Sequence, residues 1–517
     1  MTRFSNLGML INPACAMNKI AVQEFGREND RAVTYGALDT LANKVANGLI
    51  SRGYERNDRI AILSANSSDY LAVHLGVMRA GMISVPINHR LPLHLVEYII
   101  GDSGARQVFC DRDRQSMVQD GIPTINFDDP GALAGFGDEG SFDAVEPDSG
   151  DIATFLYTSG STGKPKGVML SHDAQRWVIE QRLQNTSIES QNMLIAAPLY
   201  HMNALALSHL VLAGHASMVL MPQFNARAYT EAVARFRCTW LTSVPPMIAM
   251  MLDDKEAIKA ADFSSVQHLR MGSAPASATL LAEIRRNFSK AKIHNAYGTT
   301  EGSPIVFGPH PDGKPTPDLS LGYRNLAVDL RLMDAAGMEA DEGVLQMRSP
   351  GLMSGYHNRP DLALPFTDDG YYVTGDIFSR DNDGFYYFVG RADDMFVSGG
   401  ENIFPGEIER MLESHPDVVQ ACVVPVDDAI KGKKPVAFIR LSPDATLDED
   451  TLKVYALENG ASYQHPREIW FLDEIPLAST NKVDRPLLTL RANELIKSAA
   501  KAHVSPVSTF GTSDLIS

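Results

Sequence analysis

One glycine-rich stretch of the chain holds the residue types that bind phosphate groups. Its eleven residues, Tyr157–Gly167, include three glycines, four serine or threonine hydroxyls and two lysines. Glycine lets backbone N–H groups close around an anion, hydroxyls donate hydrogen bonds to it, and lysines neutralise its charge. We therefore predict that this stretch, the phosphate cradle, binds a polyphosphate. A common P-loop is excluded, because Pro165 follows Lys164 where that motif requires Ser or Thr.

The residues on both sides of the cradle argue against the alternative of a mobile glycine–serine linker. An apolar run, Ile152–Leu156, comes before the cradle, and a second run, Val168–Leu170, follows it. Both runs are typical of short buried strands. The pattern therefore predicts a strand, a polar loop and a second strand.

The composition predicts a soluble enzyme with more than one domain. The chain has 517 residues, of which 44% are apolar and 21% are charged, as in ordinary globular proteins. The net charge of −17 argues against a nucleic-acid-binding surface. The four cysteines are far apart, so we predict neither a disulfide framework nor a zinc site. Without a signal peptide or an apolar run of about 18 residues, we expect a cytoplasmic protein with no transmembrane segment.

Helix and strand patterns alternate on both sides of the cradle, which predicts parallel α/β sheets. A helix pattern begins at Thr34, and Ser171 can cap another helix. Beyond the cradle, predicted strands run into polar loops at 272–275 and 295–301. Ligands of open α/β sheets gather beyond the carboxyl ends of strands, so we expect both loops to lie beside the cradle.

The pattern changes after residue 322. From Gly322 to Gly390 it has period two and many turns, which predicts a β-rich region. A segment of mixed helix and strand patterns follows, and the residues after Leu495 are small and polar. This last segment is predicted to be Pro405–Glu413 (helix), Val418–Val424 (strand), Val436–Ile439 (strand), Glu449–Asn459 (helix) and Ile469–Leu472 (strand).

Six motifs in a fixed order resemble those of the adenylate-forming superfamily, which includes acyl-CoA synthetases, the adenylation domains of peptide synthetases and beetle luciferases. The motifs are Tyr157–Gly167, Tyr297–Glu301, Tyr372–Asp376, Gly390–Asp393, Ser398–Asn402 and Asn481–Arg485. One such motif would carry little weight, but six in order over about residues 20–490 are specific. The resemblance implies an α/β fold whose large N-terminal domain, 1–390, has α/β subdomains and a β-rich subdomain. A hinge at 391–395 would join it to a small mobile α+β domain, 396–497, and a loose tail, 498–517.

The resemblance also implies a site for ATP with Mg²⁺. Tyr297 would stack on adenine, and Asp376 would accept hydrogen bonds from both ribose hydroxyls. Thr300 would donate to the α-phosphate, and Glu301 would be the single carboxylate that ligates Mg²⁺. The implied ATP- and AMP-binding residues are Thr158, Ser159, Gly160, Ser161, Thr162, Gly163, Lys164, Lys166, Ser273, Ala274, Pro275, Asn295, Ala296, Tyr297, Gly298, Thr299, Asp376 and Arg391.

Further roles are implied for the C-terminal part of the chain. Lys482 would be catalytic, together with Thr300 and Glu301, because it would stabilise the negative charge that builds up during adenylation. Asp393 would be the hinge residue, and Ser398, Gly399 and Gly400 would line the tunnel for the pantetheine arm of coenzyme A.

The chain departs from the family pattern at two places. Asn481 stands where relatives usually have glycine before the lysine, and asparagine is the next best residue at positive φ. Lys431–Lys434 stands where relatives commonly have Gly-Glu. This turn either contacts the phosphates of coenzyme A or is a solvated basic turn.

The resemblance implies a carboxylate–CoA ligase that forms an acyl-adenylate and then an acyl-CoA thioester, releasing pyrophosphate and AMP. The alternatives are a stand-alone adenylation enzyme that loads a carrier protein and a non-catalytic nucleotide-binding protein. The acid pocket would contain His201, Met202, Asn203, Gly272, Gly298 and Thr299. Two glycines in it would leave room for an aryl acid such as a hydroxycinnamate, or for a medium- or long-chain fatty acid. The expected partners are the acid, ATP and CoA, and a homodimer is compatible with the sequence.

Overall fold

Two units are separated in the computed structural model, which describes residues 4–27, 30–158, 164–184, 186–272, 276–398, 401–428, 430–443, 445–478 and 482–502. The first unit contains Met1–Phe388 together with Ser479–Lys482, and the second contains Val389–Ala478 and Val483–Ser517. Lys482 thus belongs to the first unit, although we expected it in the small domain. Contacts in space, rather than order in the chain, define a compact unit.

The predicted helices are confirmed, and most of them begin at a polar cap. The Ser171 hydroxyl accepts a hydrogen bond from the backbone of Ala174, and the Thr34 hydroxyl accepts one from Ala37. The helices among the described residues are α1 Tyr35–Ser51, α2 Ser68–Arg79, α3 Leu93–Ser103, α4 His172–Leu183, α5 Met202–Ala213, α6 Ala226–Arg235, α7 Pro245–Asp253, α8 Lys255–Ala260, α9 Ala278–Asn287, α10 Pro405–Glu413, α11 Glu449–Asn459 and α12 Arg485–Ala502. None of them is long and apolar enough to cross a membrane.

The prediction of a loose tail is wrong for residues 498–502, because α12 continues through them. Alanine is the best helix former, and three of these five residues are alanine. The Ser498 hydroxyl donates to the backbone carbonyl of Glu494, as it does within a regular helix. Intrinsic helix propensity therefore outweighs the small polar composition that suggested a loose chain.

The strands confirm the α/β prediction for the first unit and the β-rich region after residue 322. In chain order they are β1 Ile20–Glu24, β2 Arg31–Thr34, β3 Arg59–Leu63, β4 Ile83–Pro86, β5 Ala105–Cys110, β6 Thr124–Asn126, β7 Ile152–Thr158, β8 Lys166–Ser171, β9 Asn192–Ile195, β10 Ser217–Leu220, β11 Trp240–Ser243, β12 His268–Gly272, β13 Lys292–Ala296, β14 Phe307–Gly308, β15 Gly322–Arg324, β16 Asp329–Met333, β17 Glu342–Arg348, β18 Gly355–Tyr356, β19 Tyr372–Arg380, β20 Phe385–Arg391, β21 Phe396–Ser398, β22 Glu401–Ile403, β23 Val418–Asp428, β24 Gly432–Leu441 and β25 Ile469–Phe471.

These strands form four sheets. Two lie in the first unit and are mainly parallel, with the orders β13-β12-β11-β9-β10-β1-β2 and β18-β8-β7-β4-β3-β5-β6. The third, β14-β15-β20-β19-β17-β16, is antiparallel and contains the strands of the β-rich region except β18. The fourth, β22-β21-β24-β23 with β25 beside β24, belongs to the second unit. The predicted fold class, an α/β protein with a β-rich part and a small α+β part, is confirmed.

Helices cover both faces of the sheet from β13 to β2. Two of them, α4 and α5, lie on the face where we predict the acid pocket. Successive side chains of a strand point to opposite faces. On β9, Leu194 packs with α6, α7 and α9, whereas Met193 and Ile195 pack with α4 and α5. The start of α5, at Met202, therefore lies on the same face as Ile195.

Several buried histidines of the first unit stay neutral. Burial lowers the pKa of His89, His172 and His209 to about 4, and it lowers the pKa of His74 well below its ordinary value. The Nε2 atoms of His74 and His209 lie 2.9 Å apart, so positive charges on both rings would repel each other. In the unfolded chain each of these groups binds a proton below about pH 6.5.

We therefore expect the melting temperature to fall as the pH is lowered from about 6.5 towards 4. In that window the unfolded chain binds more protons than the folded one, so acid favours unfolding. Glu413 favours the folded state in acid, because burial raises its pKa to about 8. It is one group against the four histidines, so their effect dominates. Calorimetry in buffers of different ionisation enthalpy should show net proton uptake on unfolding near pH 5. Net release there would contradict the assignment of these histidines as neutral.

Candidate active site

The strands on the two sides of the predicted cradle pair as an antiparallel hairpin, which confirms the two predicted strands. Tyr157 pairs with Gly167, and Thr158 pairs with Lys166. The Lys166 ammonium lies 4.7 Å from the centre of the Tyr356 ring. The Lys164 ammonium lies 5.7 Å from the ring of Tyr98, so each lysine is held near an aromatic face. Five predicted phosphate ligands lie outside the described residues, namely Ser159, Gly160, Ser161, Thr162 and Gly163.

The Thr158 hydroxyl is suited to receive a ligand. Its Oγ1 atom is buried and has no hydrogen-bond partner among the residues that the structure describes. A buried hydroxyl without a partner costs free energy, and a phosphate oxygen would remove that cost. The side chains of the cradle therefore fit the phosphates of ATP.

We expect Thr158→Val to raise the KM for ATP about tenfold and to leave the KM for the acid nearly unchanged. A hydrogen bond to a charged acceptor contributes roughly this factor. The melting temperature should not fall, because valine has the same shape and removes an unpartnered group. Steady-state kinetics of pyrophosphate release would measure both constants, with Thr154→Val on the same strand as the matched control. An equal rise in both constants would contradict a phosphate-specific role.

Glu301 is linked to the cradle through Tyr356, which sequence reasoning missed. The Tyr356 hydroxyl donates to Glu301 Oε1 at 3.2 Å, and its ring faces the Lys166 ammonium. The Glu301 carbonyl accepts a hydrogen bond from the backbone of Met353 at 2.9 Å, which fixes its position. A half-buried carboxylate next to a cationic phosphate site fits a Mg²⁺ ion that bridges phosphates. No motif in the sequence marks Tyr356, because its role depends on a contact between distant segments.

The residues predicted for adenine and ribose are in direct contact. The Tyr297 hydroxyl donates to the carboxylate of Asp376, which is only 4% exposed. The Tyr297 ring packs edge-on against Phe378, with ring centres 4.9 Å apart. Burial raises the pKa of Tyr297, and the charge of Asp376 raises it further, so the phenol keeps its proton. Asp376 on β19 and Tyr297, which directly follows β13, therefore lie side by side in the predicted adenosine site.

The predicted residues Asn295 and Ala296 end β13, and Gly298, Thr299 and Thr300 lie in the turn that follows it. The Thr299 hydroxyl accepts a hydrogen bond from the backbone of Gly302 at 2.7 Å, which closes the turn next to Glu301. Ser273, Ala274 and Pro275 lie outside the described residues.

The two glycines of the predicted acid pocket have a different explanation from the one we expected. A Cβ atom on Gly298 would lie 2.6 Å from the Cα atom of Pro304, and one on Gly272 would lie 3.0 Å from the carbonyl oxygen of Ala296. Close approach of the protein backbone therefore requires glycine at 298 and leaves little room for a side chain at 272. Room for a flat or straight acid is not needed to explain them.

The other pocket residues lie at the start of α5. Met202 packs with Leu156 and Val168 of the cradle hairpin, which brings the two sites together. The His201 Nε2 atom is buried and lacks a hydrogen-bond partner within the described ranges. Burial lowers the pKa of His201 to about 3, and the positive charge of Lys482 contributes to this lowering. His201 therefore presents a neutral ring nitrogen for a ligand.

Arg270, which sequence reasoning missed, contacts a residue of the predicted acid pocket. Its Nη1 atom donates to Oδ1 of Asn203 at 3.5 Å. Arg270 lies on β12 two residues before Gly272, and residues two apart in a strand share a face. That spacing could have identified it.

Three predicted residues belong to the second unit. Arg391 donates to Asp393 with its Nε atom at 2.7 Å and its Nη2 atom at 3.1 Å, which forms an exposed bidentate ion pair. Ser398 is buried at the end of β21. Gly399, Gly400 and Asn481 lie outside the described residues. The roles predicted for these residues in the hinge and the CoA tunnel stay predictions.

The chain matches two family models and many known proteins. The model for AMP-binding enzymes matches residues 12–357, and the model for the AMP-binding enzyme C-terminal domain matches residues 407–482. The sulfoacetate–CoA ligase of Cupriavidus necator is 31% identical over 484 residues, which cover 89% of this chain and 92% of that protein. The feruloyl-CoA synthase of an Amycolatopsis species is 31% identical over 464 residues, covering 88% and 93%. The crystal structure of ATP-bound MatB from Rhodopseudomonas palustris has a TM-score of 0.85 at 27% identity, covering 95% and 99%.

Proposed function

Since the chain belongs to the AMP-binding enzyme family and is an AMP-forming carboxylate–CoA ligase, we propose that its substrate is a short or aryl acid with polar groups. ATP with Mg²⁺ and coenzyme A are its co-substrates. The observation that carries the proposal is the guanidinium of Arg270 beside Asn203 in the acid pocket.

A charged group in the pocket separates the two acid classes that we predicted from the sequence. Burying a guanidinium against an alkyl chain costs free energy, because the chain offers the charge neither a counter-ion nor an acceptor. A medium- or long-chain fatty acid is therefore disfavoured. Hydroxyl, ketone or acidic groups on a short or aryl acid would accept hydrogen bonds from Arg270. Sulfoacetate and ferulate, which the names of two relatives give, are acids of this polar kind.

The reaction has two steps. In the first, an oxygen of the carboxylate attacks the α-phosphorus of ATP, and the bond to pyrophosphate breaks. In the second, the thiol sulfur of coenzyme A attacks the acyl carbon, AMP leaves, and the thiol proton passes to solvent. We assign the cradle to the β- and γ-phosphates, Thr300 to the α-phosphate, Glu301 to Mg²⁺, and Asp376 with Tyr297 to the adenosine. Lys482 would stabilise the charge that builds up in the first step.

A panel of carboxylic acids would test the proposal through pyrophosphate release and then CoA-dependent thioester formation. We expect short polar or aryl acids to be used with kcat/KM at least about tenfold above that of octanoate or palmitate, from the factor of one lost charged hydrogen bond. A preference for the fatty acids would overturn the proposal. Adenylate formation that CoA cannot discharge would favour the alternative of a carrier-protein-loading enzyme. The homodimer, the hinge at 391–395 and the cytoplasmic location stay predictions.

A further inference from the structure

Two arginines of the first unit have no acidic partner among the residues that the structure describes. Arg182 lies in the last turn of α4, and Arg270 lies on β12. Within the described part of the chain, Arg182 makes no hydrogen bond or ion pair, and Arg270 makes only the 3.5 Å hydrogen bond to Asn203. Arg176, on the same helix as Arg182, shows the usual arrangement, because it pairs with Asp173 at 2.9 Å.

The neighbours of Arg270 in the sheet add another donor and no negative charge. Arg270 stands opposite Thr242 on β11 and His294 on β13, and opposite residues on neighbouring strands share a face. The Thr242 Oγ1 atom is buried and has no hydrogen-bond partner among the described residues. Burial lowers the pKa of His294 to about 4, and the charges of His268 and Arg270 also lower it, so its ring is neutral.

Helices α4 and α5 cover this same face of the sheet. Thr242 stands opposite Ile195 on β9, and Ile195 packs in one core cluster with Ile179 of α4 and Leu207 of α5. Arg182, at the end of α4, is therefore on the face of the sheet that carries Arg270, and the positive charge of Arg270 contributes, after burial, to lowering the pKa of Arg182. Arg182 and Arg270 thus lie on the same side of the sheet, with Arg270 next to Asn203, and we call the two the arginine cluster.

This cluster is electrostatically incomplete without an anion. Burial lowers the pKa of Arg182 to about 9, with a contribution from Arg270, and burial lowers the pKa of Arg270 to about 10. Both side chains remain cations near neutral pH. Two half-buried like charges without a counter-ion are costly, and a guanidinium fork matches the oxygens of a carboxylate or sulfonate.

We propose that the acid substrate carries a second anionic group, a carboxylate or a sulfonate, and that Arg182 and Arg270 bind this group. The reacting carboxylate then lies towards His201 and the cradle, while the second group points into the sheet face that carries Thr242. This inference rests on the proposed function and narrows its substrate class to acids with two negative charges.

The test uses pairs of acids that differ only in the second charge. Malonate is compared with monomethyl malonate, and sulfoacetate with methylsulfonylacetate, by kcat/KM for pyrophosphate release. We expect at least one dianionic acid to be preferred over its neutral partner by about 100-fold, since each charged hydrogen bond contributes about tenfold. The pair that shows the larger ratio of kcat/KM identifies the second group: the malonate pair indicates a carboxylate and the sulfoacetate pair a sulfonate.

Substitutions then assign the preference to the arginines. Arg182→Gln and Arg270→Gln should each reduce the preference for the dianionic acid about tenfold or more, while Arg270→Lys should keep part of it. Arg176→Gln on α4 is the matched control and should leave the preference as it is. Circular dichroism and thermal unfolding establish that each variant is folded, and Arg182→Gln decides the test if the strand variant does not fold.

The outcomes separate this inference from the proposed function. A protein that uses acids but prefers neither dianionic member overturns the inference and leaves the proposed function standing. Equal losses for both members of a pair in the arginine variants also overturn it, because they indicate a structural role. If none of the tested acids leads to pyrophosphate release, both the inference and the proposed function are overturned.

Discussion

Replacing Lys482 by alanine should abolish most acyl-adenylate formation and leave thioester formation from pre-made adenylate close to normal. The lysine ammonium is assigned to negative charge on the α-phosphate and carboxylate, which exists in the first transition state and is gone when the thiol attacks. Removing an interaction used in one transition state slows that step alone. For one charge-stabilising donor the expected loss is about 100-fold or more.

Single-turnover measurement of each half-reaction would test this expectation. ATP–pyrophosphate exchange reports the first step, and mixing purified acyl-adenylate with CoA reports the second. Lys497→Ala, at an exposed position on α12, is a suitable control because it removes the same charge elsewhere. If both half-reactions fall together in a folded Lys482→Ala protein, this lysine is not specific to one step.

Replacing Glu301 by glutamine should reduce adenylate formation about 100-fold or more. The substitution keeps the size of the side chain but removes the negative charge assigned to Mg²⁺, and a hard cation prefers a charged oxygen ligand. A lost metal ligand affects the transition state by several kcal/mol. The reaction should also need a higher Mg²⁺ concentration for its half-maximal rate, which a titration at fixed ATP would measure.

Tyr356→Phe separates the charge of Glu301 from its positioning. Phenylalanine keeps the ring that faces Lys166 and removes only the 3.2 Å hydrogen bond to Glu301. One hydrogen bond of this kind contributes about tenfold or less. Adenylate formation should therefore fall much less than in Glu301→Gln. Equal losses in the two variants would show that orientation, rather than charge, is what Glu301 needs.

Local patterns were sufficient to predict most of the secondary structure. Pro405–Glu413 and Glu449–Asn459 have the predicted helix bounds, because a proline or acidic start and an apolar stripe are local features. The cradle hairpin was predicted from two short apolar runs around a polar loop. The end of α12 was missed, because a small polar composition also fits a helix that contains several alanines.

The individual residues of the candidate site could be predicted from the sequence, but the contacts between them could not. Tyr297 and Asp376 were identified from separate motifs, yet the sequence contains nothing that shows their hydrogen bond. Gly298 was identified, but its reason was wrong, since the backbone at Pro304 rather than a ligand occupies the space. An approach of two backbone segments depends on the path of the whole chain, which no local pattern encodes.

The sequence by itself determined the family, the order of the motifs and the types of residue that touch ATP, because these follow from residue identity and spacing. Only the tertiary structure decided which charges lack partners. Arg176 and Arg182 are both arginines of one helix, and the sequence shows an acidic residue one turn before Arg176 but not what folding brings near Arg182. Arg176 lies one turn from Asp173 and is paired with it, whereas the pKa of Arg182 is lowered by burial and by the charge of Arg270 on a distant strand. Whether a charge is neutralised depends on every group that folding brings near it, and that is a property of the packed chain.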